Sequence, residues 1–126
     1  MIRTPTSRKE IYDWYTSSMR GERPAVHEDD PQCGWFKMRE KKSGPWVPVR
    51  IWLHQPVENY QLTGPEVLRG SVGTFSDDRE ADPVKMWTRC AKRPISPTEY
   101  NRLYWGRDDT GLWALEEKPI APTSSG

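Results

Sequence analysis

From Trp46 to Gln55 the chain alternates with a period of two. Val47, Val49, Ile51 and Leu53 fall on one side, and Trp46, Pro48, Arg50, Trp52 and His54 on the other. Such alternation predicts a strand with one face on a core. Cys33 to Glu40 predicts the strand before it, in which Trp35, Lys37 and Arg39 alternate with Phe36, Met38 and Glu40. Lys41-Lys42-Ser43-Gly44-Pro45 has the length and the glycine of a hairpin connection. Pro48 has no N–H to give to a ladder, so it is expected at an unpaired edge or a bulge. Glu66 to Thr74 predicts a third strand, weakened by Gly70 and Gly73. Residues 56–65 read as a loop and Ser76-Asp77-Asp78 as a turn.

Helical spacing appears at both ends. Over residues 7–19, Ser7 and Glu10 have capping-box spacing, and Ile11, Trp14, Tyr15 and Met19 then share one face. Gly21 ends that helix, and the polar, proline-broken residues 21–31 read as loop. Asp82-Pro83 opens a short helix to Ala91 with Val84, Trp87 and Ala91 on one side. Ser96-Pro97-Thr98-Glu99 combines a cap, a proline at the first helical position and a capping-box acid. It starts a helix carrying Tyr100, Leu103 and Tyr104 to about Gly106. Leu112 to Leu115 predicts one further turn. The expected fold is α+β: an N-terminal helix, a three-stranded antiparallel sheet and two C-terminal helices, the helices on one sheet face. One compact domain over residues 1–118 and a disordered tail over 119–126 are expected, and no internal repeat is found.

Composition changes this picture in one respect. Leu, Ile, Val and Phe total only 20 of 126 residues, but seven Trp and five Tyr restore the apolar area a core needs. No apolar run is long enough for a membrane span, and no signal-peptide stretch opens the chain, so the default location is the cytosol. Cys33 and Cys90 are too few for a disulfide framework and are expected reduced. A net charge of +1 argues against a general DNA-coating protein, not against a local basic patch.

The candidate chemistry lies on the polar side of the hairpin. Trp46, Arg50, Trp52 and His54 point away from the predicted core, with Trp35, Lys37 and Arg39 beside them. Rings next to cations suit a nucleobase and its phosphate, since stacking is worth roughly 1–3 kcal/mol per base and the cation meets the negative charge. These seven residues are the candidate ligand-binding set. The competing reading buries Trp46 and Trp52 under the first helix or the C-terminal segment, which makes Arg50 a packing stem. His27, Cys33, His54 and Cys90 lack zinc-ligand spacing, and the acidic pairs sit in turns, so no metal or other cofactor is expected. Phosphate-loop, dinucleotide, zinc-protease and nucleophile-elbow motifs are absent, and two histidines supply few bases, so the chain is not expected to be an enzyme. Surplus Trp, Tyr and Arg also suit a protein partner or self-association.

Cys33-Gly34-Trp35-Phe36, Gly44-Pro45-Trp46-Val47-Pro48-Val49-Arg50-Ile51-Trp52-Leu53 and Arg93-Pro94-Ile95-Ser96 with Glu99-Tyr100 resemble a group of small, uncharacterised tailed-phage and prophage proteins. The resemblance covers about half the chain and is loose over residues 56–80. It implies a phage-encoded accessory protein in the cytoplasm of a bacterial host, and it carries no activity or catalytic residue over. Three functions then compete. The first is counter-defence by sequestering a nucleotide or occupying a host defence protein. The second is a single-strand nucleic-acid binder in phage replication. The third is a phage structural or assembly protein that forms homo-oligomers.

Overall fold

The computed structural model describes residues 3–106. The N-terminal segment forms two short helices, α1 (Arg8–Ile11) and α2 (Asp13–Met19), joined at Tyr12. The Ser7 hydroxyl caps α1 by accepting from the Glu10 N–H at 3.3 Å. The expected single helix over 7–19 is thus interrupted: Tyr12, at φ −104°, leaves the helical range. Met19 is exposed, and the buried contact passes to Tyr15, whose hydroxyl donates to the Ile95 carbonyl at 2.5 Å.

The sheet is four-stranded and antiparallel, not three-stranded. Its strands are β1 (Gly34–Arg39), β2 (Trp46–His54), β5 (Val67–Val72) and β6 (Arg79–Ala81), in the order β1-β2-β5-β6. The fourth strand follows a 3-10 turn at Phe75–Asp77, where only a turn was expected. Residues 56–65, expected as loop, hold a small hairpin of β3 (Val57–Glu58) and β4 (Gln61–Leu62). Its two turn residues, Asn59 and Tyr60, have φ of 51° and 64°, the geometry that twists a two-residue hairpin correctly.

The register places Phe36 opposite Val49, Met38 opposite Val47, Val49 opposite Val72 and Gly70 opposite Ala81. One face therefore carries the apolar residues of all four strands. Helix α3 (Pro83–Cys90) lies against it with Met86, Trp87 and Cys90, and Tyr15 of α2 completes the cluster. Trp87 is fully buried at the centre, edge-on to Phe36 and Trp14. Its indole N–H donates to the His27 carbonyl and that of Trp14 to the Ala25 carbonyl, which pins the polar loop after α2. The expected partner Val84 is instead 50% exposed; Pro83, Met86, Trp87 and Cys90 form the inward stripe. Gly70 lets this layer close, because a Cβ there would lie 2.5 Å from Met86 Cε and 3.1 Å from the Ala81 carbonyl oxygen.

The last helix, α4 (Pro97–Trp105), packs on the opposite face. Contrary to expectation, the helices therefore do not all share one face of the sheet. Glu99 reaches Lys37, and Tyr100 bonds Ser71, both on the side of the sheet away from α3. Between α3 and α4 the chain crosses the side of β1, where Lys37 N–H donates to the Arg93 carbonyl and Ile95 N–H donates to that of Trp35. Pro48 lies on a central strand, neither at an edge nor in a bulge. Its carbonyl accepts from Gly73 N–H, so its nitrogen also points toward β5, one residue past the end of that strand's pairing. The missing donor thus falls where the ladder stops. Among the described residues no helix is long and apolar enough to cross a membrane. The turn expected at Leu112–Leu115 and the tail expected at 119–126 lie outside the described residues.

Candidate functional site

The two-residue period of β1 and β2 puts Trp35, Lys37, Arg39, Trp46, Arg50, Trp52 and His54 on one face of the sheet, with Trp35 opposite Arg50 and Arg39 opposite Trp46. The face was legible; its division was not. Helix α4 lies across it, over the fully buried Pro48, and separates a Trp46 end from an Arg50 end.

At the Trp46 end three cations surround one indole. The charged atoms of Lys37, Arg39 and Arg93 stand 5.0, 4.3 and 4.9 Å from the ring centroid. Lys37 also meets Glu99 at 3.1 Å, with both side chains half-buried. The Ser96 hydroxyl accepts from Glu99 N–H at 3.1 Å, so the helix cap holds that carboxylate in place. Arg93 was not among the expected residues. Its arrival depends on backbone pairing between strand β1 and a distant segment, which no local pattern announces.

At the other end Arg50 lies between two indoles. Its guanidinium carbon is 5.7 Å from the Trp35 ring, its cross-strand partner, and 5.4 Å from the Trp52 ring, two residues on. Trp35 in turn stacks on Tyr12 at 5.3 Å and 14°, and Arg8 covers Tyr12 at 5.0 Å. Arg50 remains exposed, and among the described residues it forms no salt bridge. His54 is exposed at the far end of β2 and belongs to neither group.

Arg50 and Trp52 also floor a pocket of about 350 Å³ under the outer side of α4, walled by Tyr100, Asn101, Tyr104 and Asp78. That is within the size range of small-molecule sites. Burial pushes the Tyr100 phenol above its ordinary pKa, and desolvation with the Asp78 hydrogen bond does the same for Tyr104. Both are neutral donors near neutral pH, and Tyr104 donates to Asp78 Oδ2 at 3.1 Å. The pocket thus offers rings, one cation, one carboxylate and an amide. A larger cleft of about 740 Å³ between α2 and the segment after α3 lacks this combination, since its wall carries a ring and cations but neither a carboxylate nor a side-chain amide.

The chain matches no known protein family, curated protein or solved structure to which it was compared. The site's chemistry therefore stands on its geometry. Neither cysteine belongs to it. Both are free and buried, and burial pushes the thiol of Cys33 to about 11 and that of Cys90 to about 12, far from a nucleophilic thiolate at neutral pH. Among the described residues no three His, Cys, Asp or Glu side chains are placed to hold a metal ion.

Proposed function

We propose that the protein acts by binding, without catalysis, and that it takes a nucleotide in the pocket between Arg50, Trp52 and α4. The observation that carries this reading is the exposed guanidinium of Arg50, beside two indoles and without a salt bridge among the described residues, on the floor of an aromatic pocket. A base stacks on the rings while Arg50 meets the phosphate, and the neutral phenols and Asn101 serve the base or sugar edge. The hairpin's resemblance to phage-encoded proteins suggests the cytoplasm of a bacterial host as the setting of this binding. Removing a nucleotide from a defence response is the use it suggests.

The test begins with protein purified without nuclease treatment. Its absorbance ratio and native mass, before and after denaturation, report any nucleotide carried along. Nucleoside monophosphates are then titrated against the protein and its Arg50→Ala and Trp52→Ala variants. Each cation–π contact of this exposed kind is worth only about 0.5–1 kcal/mol, so both variants should still melt cooperatively while losing binding. Variants that simply unfold would make these residues packing elements and sink the assignment.

A second reading, a protein contact on the host or between copies of the chain, draws on a different observation. Stacking of Phe75 on Trp105, at 4.8 Å, leaves both rings on the surface, 63% and 43% exposed. Concentration-dependent mass in solution, abolished by Phe75→Ser, would favour it. The extended single-strand groove draws no such support, because α4 and the Lys37–Glu99 pair interrupt the face.

A further inference from the structure

We infer that the Trp46 end of the face is a second, separate binding site, one for phosphate groups. It rests on residues other than those of the Arg50 pocket. Lys37 and Arg39 alternate on β1, Trp46 is the cross-strand partner of Arg39, and Arg93 is fixed beside them by the bond from Lys37 N–H to its carbonyl. Backbone pairing therefore sets all four positions before any ligand arrives. Arg89 adds to this, donating through Nη2 to the carbonyls of Arg39 and Glu40 at 2.6 and 3.1 Å and holding the strand end.

The charge balance points to an anion. Three cations crowd one ring, and Glu99 compensates only Lys37. Arg39 and Arg93 are exposed and form no salt bridge among the described residues. The nearby Glu40 carboxylate is taken by Arg79. Like charges held this close repel, and the repulsion becomes attraction for an incoming anion. Two guanidinium groups on a fixed frame suit the paired oxygens of a phosphate better than a single carboxylate or chloride. Lys41 and Lys42, exposed in the adjoining turn, extend the same field. Such a phosphate can come from a free polyphosphate chain or from a nucleic-acid backbone.

The full-length protein is titrated with sodium tripolyphosphate by calorimetry, and with a fluorescent oligothymidylate by anisotropy, at several salt concentrations. Tripolyphosphate should bind, about tenfold more weakly in Arg39→Gln or Arg93→Gln. Glu99→Gln, which keeps the cap and removes the counter-charge, should bind several-fold more tightly. A residue with only a packing role would not produce that gain. Lys85→Gln, an exposed cation on α3 at the other face of the sheet, should alter the binding by less than about twofold. Oligothymidylate binding that falls with salt, with a shallower slope in Arg93→Gln, identifies a backbone phosphate as the source. Binding of tripolyphosphate alone identifies a free one. The inference fails if the wild type gives no binding at low salt, or if Arg93→Gln binds like wild type. If Arg50→Gln abolishes the binding and Arg93→Gln does not, it fails while the nucleotide pocket stands. Arg93 is an exposed loop side chain, so that variant decides the matter even if Arg39→Gln folds poorly.

Discussion

Replacing Gly70 by alanine should destabilise the protein, although strand propensity alone predicts a gain. Removing glycine's freedom in the unfolded chain is worth about 0.4–1 kcal/mol where the backbone tolerates a side chain. Against it stands the closeness of α3. The new Cβ would lie 2.5 Å from Met86 Cε and 3.1 Å from the Ala81 carbonyl oxygen. The methionine end is flexible, but Met86 is only 3% exposed and packed in the core; the carbonyl belongs to the neighbouring strand and moves only with it. Overpacking of this kind costs roughly 1–3 kcal/mol, so the net loss is about 1–2 kcal/mol. For a domain of this size that lowers the melting midpoint by roughly 5–10 °C. Urea unfolding of Gly70→Ala, Met86→Ala and the double variant measures the effect. Met86→Ala alone should cost about 2–5 kcal/mol, and the double variant should cost less than both together, because the alanine enters space the methionine leaves. Additive losses, or a stabilised Gly70→Ala, would refute the packing argument.

Two further predictions concern pH and capping. Cys33, Cys90 and Tyr15 are protonated in the fold up to about 11, 12 and 12, against ordinary values of 9.0, 9.0 and 10.0. Their contribution is complete below pH 9 and is lost as pH rises toward 12, at up to about 1.4 kcal/mol per pH unit for each group. Unfolding followed from pH 8 to 11 should show that decline, and Cys90→Ala should flatten it; a level profile would contradict the burial of the thiols. Ser96→Ala removes the cap of α4 and should cost about 1 kcal/mol. It should also loosen Glu99 from Lys37, seen as a shift of the Lys37 resonances, whereas Thr in its place should behave as wild type.

Where a local pattern and a tertiary contact agree, the fold was readable. The β1–β2 hairpin shows it, since alternation and turn chemistry both demand the same register. Helices α3 and α4 show it through Asp82 and Ser96, whose side chains cap as their spacing predicts. Strand β6 escaped because Arg79-Glu80-Ala81 has no apolar alternation. It is held from outside, by pairing with β5 and by the Arg69–Glu80 contact at 2.9 Å. The side chosen by α4 escaped for a related reason. Its inward residues are aromatic and amphipathic, compatible with either sheet face, and Lys37 with Ser71 decides. The seven candidate residues share a face because strands alternate. Which of them remain free is set by where one helix lies.

The backbone of Arg93 to Ile95 has a consequence for how other molecules can meet this protein. By bonding to β1 it occupies the Lys37 N–H and the Trp35 carbonyl in the middle of the strand's outer edge. The opposite margin, β6, offers only three residues, two of them charged. Both margins thus offer a foreign strand little uninterrupted backbone to pair with, and such pairing is the route by which many proteins recognise extended peptides and by which exposed sheets aggregate. The hairpin is then free to carry a dense row of indoles and guanidinium groups without recruiting neighbouring chains through its backbone.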